Sequence, residues 1–272
     1  MQKIFNLTNK YIVLATPLIL YSLVSSMYLL VSAGGGKLIN LLLAIVMFVL
    51  MTGAFIAGWF NMIKSAITEP DREDPNSLLK DFVPGVGEFF VSSIGALVNM
   101  FIIAIIFLVC SYYIGINTIG NPNISTEALS NALQNPTALK AFVAGLNIEQ
   151  LTKINLWNML ILGTITLVYF ITFLYIPCLF FKNKNPFIAF FISLKDTFSR
   201  KFFKTLGIFA LIFILNFIIS ILSGVFGVNT LIHFLLTLAN FYFITLVGVG
   251  VLYYYYQNFV KYNIGQNIDI EI

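Results

Sequence analysis

Side chains able to do chemistry are scarce in this 272-residue chain: 10% are Asp, Glu, Lys or Arg, and there is one histidine. A Lys-Asp doublet nevertheless occurs twice, as Lys80-Asp81 in SLLKDF (Ser77 to Phe82) and as Lys195-Asp196 in SLKDTF (Ser193 to Phe198). Neighbouring residues on a helix do not face each other, so neither doublet is a local ion pair. Each lysine is free to snorkel toward anionic headgroups, and each aspartate to cap a helix or meet a partner. The duplication suggests that the lysine of one doublet reaches the aspartate of the other. Two solvated charges on exposed faces are the alternative.

Other reactive groups do not assemble into known chemistry. Cys110 and Cys178 lie in apolar runs, which reads as buried, inert thiols rather than a disulfide framework or CxxC site. His233 alone makes no multi-histidine centre and reads as a packing residue near the outer surface. EPDRED (Glu69 to Asp74) offers carboxylates but none of the ligand spacing of an EF-hand, so a solvated turn is expected. There is no HExxH, GxSxG or P-loop pattern. No catalytic, cofactor-binding or metal-binding residue is therefore assigned, no cofactor or nucleic-acid partner is expected, and the chain reads as a non-enzyme. What stands out is a basic group, Lys182, Lys184, Lys195, Arg200, Lys201 and Lys204, which either enforces topology or binds lipid headgroups.

The elements that carry these residues are written in hydropathy. Fifty-nine per cent of the chain is hydrophobic, with 28 Phe and 13 Tyr, well beyond a soluble domain. A crossing helix needs about 20 apolar residues. Six runs qualify, at about 11–33, 38–63, 88–114, 156–181, 202–225 and 231–259. The expected fold is all-α: one integral membrane domain, a polytopic transmembrane bundle with two short cytoplasmic interfacial helices and a small helical outer loop. Val31-Ser32-Ala33 before Gly34 looks like a cleavage site, but the first apolar run is longer than a signal core of about 7–15 residues, and it is expected to be retained.

Lys and Arg concentrate in cytoplasmic segments. With six crossings, the amino-terminal tail, the second and fourth connections and the carboxyl tail hold twelve of the 15 basic residues, against Lys37, Lys140 and Lys153 opposite. Both termini are therefore expected in the cytoplasm, with the chain in the cytoplasmic (inner) membrane of a cell. Both doublets then fall on that side, each behind a helix-start signal, Asp74-Pro75 and Asn185-Pro186. Downstream, SIGALVNMFII (Ser93 to Ile103) parallels TLGIFALIFIL (Thr205 to Leu215), with Gly95 and Gly207 in register. Residues 38–114 and 156–225 thus form a candidate parallel repeat.

In the long outer loop, STEALSNALQ, NPTALKAFVAGL and NIEQLTKIN read as three short helices, the last with a capping-box pair, Asn147 and Gln150. Gly53, Ala57, Gly58, Gly248 and Gly250 mark close helix contacts, and Pro17 and Pro177 mark kinks or ends. Within the spans the polar residues are mild, Asn99, Asn216 and Asn240 among them, and no span centre carries a charge. Ion-coupled transport normally needs such charges.

The order span, amphipathic linker with a late Ser and a basic residue (SLLKD, SLKDTFSRK), then span resembles bacterial six-span membrane domains of unknown function. These include the membrane region preceding some glycerophosphodiester phosphodiesterase domains. The sequence holds no phosphodiesterase domain, so the resemblance lends no catalytic residues. It implies a scaffold, accessory subunit or lipid- and protein-contact component, with membrane lipids and a membrane protein or second copy as partners. A permease for a small or apolar solute is the alternative.

Overall fold

A computed structural model describes residues 2–32, 38–132, 135–226 and 230–261. Among them there is no strand. Eleven α-helices follow in order: α1 (Gln2–Lys10), α2 (Ala15–Ser32), α3 (Leu38–Thr68), α4 (Phe82–Thr118), α5 (Thr126–Ala132), α6 (Pro136–Ala144), α7 (Ile148–Ile171), α8 (Tyr175–Phe181), α9 (Pro186–Thr197), α10 (Phe202–Phe226) and α11 (Thr230–Tyr255). Six helical stretches are long and apolar enough to cross a membrane: Ile12–Ser32, Ile39–Thr68, Pro75–Thr118, Ile148–Phe181, Phe202–Val225 and Thr230–Val260. The chain is an all-α polytopic bundle and fits an integral membrane protein. Lys37 and the Ala33-Gly34 bond of the expected cleavage-like motif lie outside the described residues.

Local chemistry accounts for the ends of these helices. The Asn185 side chain accepts from the backbone N–H groups of Phe187 (3.0 Å) and Ile188 (3.3 Å) and so starts α9, with Pro186 in its first turn. Asp74 accepts from Asn76 N–H at 2.9 Å and starts a 3₁₀ turn, Pro75–Asp81, that leads directly into α4. That continuity is why the third apolar helix begins at Phe82, six residues before the expected Glu88. Asn147 and Gln150 form the expected capping box: each side-chain oxygen accepts from the other's backbone N–H, at 2.8 and 3.2 Å. It caps α7 itself, so the third expected loop helix is the first turns of the fourth apolar stretch. That stretch breaks between Ile171 and Tyr175. Pro177 cannot donate to the carbonyl four residues back, at Phe173, and the helix yields there. Pro17 follows the 3₁₀ turn Ile12–Leu14 in the same way.

The described chain divides into two compact units. The first comprises residues 1–99 and 171–272, the second Met100–Phe170. One core cluster of the first unit joins Tyr11, Leu14 and Leu18 to Trp59, Met62, Ile63, Ala66 and Ile67 of α3, Leu78, and Val249 and Leu252 of α11. Trp59 donates its indole N–H to the Leu14 carbonyl at 2.8 Å. Small residues allow this approach. A Cβ on Gly58 would lie 2.6 Å from the Phe82 ring, and one on Gly248 3.0 Å from Trp59. Every member of this cluster lies toward the helix ends that carry the doublet connections. In the opposite halves of α2 and α3, Leu23, Met27, Leu30, Leu42 and Met47 are exposed. Lipid is as apolar as leucine, so contact between helices rests on packing and hydrogen bonds rather than on escape from solvent.

In the second unit Ser111 donates to Thr164 Oγ1, which itself donates to the Leu160 carbonyl at 2.8 Å. Trp157 donates to the Gly120 carbonyl at 3.0 Å, and its ring occupies the place a Cβ on Gly115 would need, 2.3 Å away. Gly120 (φ +79°) ends α4 by returning its N–H to the Gly115 carbonyl at 3.1 Å. Only glycine adopts that left-handed turn without cost.

Candidate functional site

Charged side chains gather where the second and fourth connections of the first unit meet its two terminal segments. The second connection is held from the amino-terminal side. Lys10 Nζ donates to the Pro70 carbonyl at 2.6 Å, and Tyr11 Oη reaches the carbonyls of Glu69 (3.2 Å) and Pro70 (3.0 Å). EPDRED is therefore not a solvated turn throughout. Within it Arg72 bridges Glu69 at 2.8 Å and Asp81 at 2.9 Å. Burial opposes the Arg72 charge most, but the bonds to these two carboxylates outweigh it and raise its pKa above the ordinary value.

At the second doublet, Lys182, just past α8, places Nζ 2.7 Å from Asp196 Oδ2 on α9. Tyr255, fully buried at the end of α11, donates its hydroxyl to the same oxygen at 2.6 Å. The Lys182 ammonium lies 5.4 Å from the Tyr255 ring centroid and 5.7 Å from that of Phe259. The carboxylate thus ties three segments together: α8, α9 and α11.

The expected exchange between doublets does not form. Asp81 takes Arg72 and Asp196 takes Lys182, each a cation from its own connection. The reason is reach: each connection folds back on itself after its Asp-Pro or Asn-Pro start. Lys80 and Lys195 are exposed.

Nor is the basic group uniform. Lys182 is neutralised by Asp196, and Lys184 bridges Glu88 at 2.8 Å. Lys195 and Arg200 are exposed. Lys201 and Lys204 converge on Asn258: Lys201 Nζ donates to its carbonyl and Lys204 Nζ to its side-chain oxygen at 3.0 Å. Burial, then the Lys204 charge, lowers the Lys201 pKa below the ordinary value, with Asp196 pulling the other way. Asn258 lies in a π-helical turn, Tyr256–Val260, that closes α11. Its amide donates to the Tyr254 carbonyl at 2.7 Å, and Tyr254 Oη bonds Thr205 Oγ1 at 2.8 Å.

Of the four consecutive tyrosines at the end of α11, Tyr253 to Tyr256, Tyr254 and Tyr255 are the buried pair. Sequence reasoning missed α1, whose Ile4 and Leu7 pack on the core cluster and whose Asn9 accepts from Tyr242 Oη at 2.6 Å. The signal was present in the spacing of Ile4, Leu7 and Thr8, but nine residues carry few repeats of a helical period. Of the intramembrane asparagines, Asn99 is buried and donates to Tyr175 Oη at 3.2 Å, whereas Asn216 is exposed on α10. Tyr175 in turn donates to the Pro186 carbonyl at 2.8 Å.

Two cavities open beside this charged end. A polar one of about 540 Å³ is lined by Lys3, Lys10 and Lys261 together with Asp71. The other, about 660 Å³, is an apolar groove between α1, α10 and α11 with Lys204 and Asn258 at its rim. Among the described residues no group of three His, Cys, Asp or Glu side chains is placed to hold a metal ion. No family model, no curated protein and no solved structure matches this chain.

Proposed function

We propose that this integral membrane protein is not an enzyme and acts through lipid and protein contacts made at its charged end, which faces the cytoplasm. The observation that carries the reading is convergence. The amino-terminal helix binds the second connection through Lys10 and Tyr11, and the fourth connection binds the carboxyl-terminal turn through Lys201 and Lys204. Between Lys182 and Lys204 there are six basic residues and one acid, Asp196, which is consumed by Lys182. Lys184 pairs with Glu88, and Lys195, Arg200, Lys201 and Lys204 remain as a cationic surface of the kind that anionic leaflets attract, at about 1 kcal/mol per charge. A permease reading draws less support. Asn99 is occupied by Tyr175 and Asn216 lies on an exposed helix face, so these polar groups do not gather along a common path.

The test has two arms. Because Cys110 is exposed, Arg200→Cys in a Cys110→Ser background, labelled in intact cells and in inverted vesicles, reports sidedness, and labelling in intact cells would overturn the cytoplasmic placement. Purified chain in vesicles should release no trapped solute but should bind phosphatidylglycerol surfaces better than phosphatidylcholine ones; saturable solute flux would reverse the assignment.

A further inference from the structure

The groove between α1, α10 and α11 has the dimensions and the polarity of a site for part of one lipid molecule. Its walls are Ile208, Leu211 and Leu215 of α10, Leu246 and Val247 of α11, and Ile4 of α1. From Lys204 at the rim to Leu215 is eleven residues of helix, about 16 Å at 1.5 Å per residue. That is close to half of the ~30 Å hydrocarbon thickness, or one leaflet. A volume of about 660 Å³ sits in the range of small-ligand sites, about 300–1,000 Å³.

Polarity changes abruptly along it. The deep part is aliphatic and aromatic, while Gln2, Lys204, Gln257 and Asn258 form the rim, and among the described residues no acid lines it. The rim is a fixed frame. Asn258 is anchored to the Tyr254 carbonyl, and the exposed Lys204 ammonium is oriented by Asn258 Oδ1 and lies 5.6 Å from the Tyr254 ring centroid. One of its three N–H donors is used by Asn258, leaving the others to an incoming anion.

From this geometry we infer that the groove holds one acyl chain of an anionic phospholipid from the leaflet at the charged end, with the lipid phosphate on Lys204. α1 is the outer wall, so the amphipathic amino-terminal helix completes the site. The inference rests on the lipid-contact reading above and deepens it from a charged surface to a defined site.

Native mass spectrometry of the full chain in mild detergent tests it, with phosphatidylglycerol and phosphatidylcholine offered separately. One phosphatidylglycerol should be retained in preference to phosphatidylcholine. Lys204→Gln should weaken that retention about fivefold, the effect of one interfacial charge, and Lys204→Arg should preserve it. Leu211→Trp, at a position already 39% exposed and therefore tolerant of bulk, should fill the groove and reduce retention of both lipids. Equal retention of the two lipids, or no response to Lys204→Gln and Leu211→Trp, overturns the site. Arg200→Glu separates the two proposals: it lies outside the groove lining and should weaken binding to anionic vesicles while leaving the retained lipid in place. Loss of vesicle binding in Arg200→Glu with no retained lipid in the native chain rejects the groove and leaves the charged-surface reading standing.

Discussion

The two doublet connections begin alike and end differently. Each opens on an acid or amide N-cap followed by proline, runs through a short amphipathic helix, and presents Lys-Asp near its end. Each aspartate then takes a cation from its own connection. The first stops there: Arg72, ahead of a seven-residue 3₁₀ turn, clips Glu69 to Asp81 at the end of that turn. The second goes further, because Tyr255 from the far end of the chain shares Asp196 with Lys182, and α9 is a full α-helix of 12 residues. Side-chain exposure records the difference, 24% for Asp81 and 13% for Asp196. The lesson is that a repeated sequence motif sets a capped start twice, while only the second aspartate binds the last helix. The first doublet is a loop clip; the second fastens the last helix to the bundle.

Removing each carboxylate breaks that comparison most sharply. Asp196→Ala strands the Lys182 ammonium and the Tyr255 hydroxyl together and should cost about 3 kcal/mol, read as reversible unfolding in mild detergent. Asp81→Ala loosens a more open pair and should cost about 1 kcal/mol. Equal losses at the two sites would remove the distinction.

The two glycines that align in sequence, Gly95 and Gly207, differ next. A Cβ on Gly95 would lie 2.6 Å from the Pro186 ring, where a rigid neighbour cannot swing aside, while nothing lies within 4 Å at Gly207. Gly95→Ala should therefore destabilise by about 1–3 kcal/mol. Gly207→Ala should be neutral or stabilising by up to about 1 kcal/mol, as alanine favours a helix. Like responses in the two variants would mean the two glycines share an environment after all.

Tyr255→Phe keeps the ring over Lys182 but removes the donor to Asp196. A loss of about 1.5–3 kcal/mol is expected for a bond to a charged group, nearer the lower figure because Lys182 stays in place. The smallest effect belongs to the exchanged pair. Lys80→Asp combined with Asp196→Lys should be no more stable than Asp196→Lys alone, within about 0.5 kcal/mol. Rescue by the double reversal would restore the cross-doublet contact that the structure does not form.

Much of the local architecture was legible in advance. The capping box at Asn147 and Gln150, the starts at Asp74-Pro75 and Asn185-Pro186, and the six apolar stretches all depend on residues within a few positions of one another. Where boundaries moved, the causes were local too: the 3₁₀ turn that runs straight into α4, and Pro177 breaking the fourth stretch at its preceding turn. The candidate site was legible only as composition. Six basic residues could be named, yet nothing in their spacing said that Lys182 and Lys184 are neutralised, that Lys195 and Arg200 are left exposed, or that Lys201 and Lys204 turn toward Asn258.

By itself the sequence determined that this is a helical chain with six stretches suited to a bilayer. A helix satisfies its backbone within about four residues, and lipid selects for uninterrupted apolar length. Tertiary structure alone decided which cation meets which carboxylate, that α1 docks on α11, and that a groove opens between α1, α10 and α11. Those outcomes hang on contacts such as Lys10 with Pro70 and Tyr255 with Asp196, 60 and 59 positions apart. No local period or propensity encodes such a meeting; it exists only once the helices have packed.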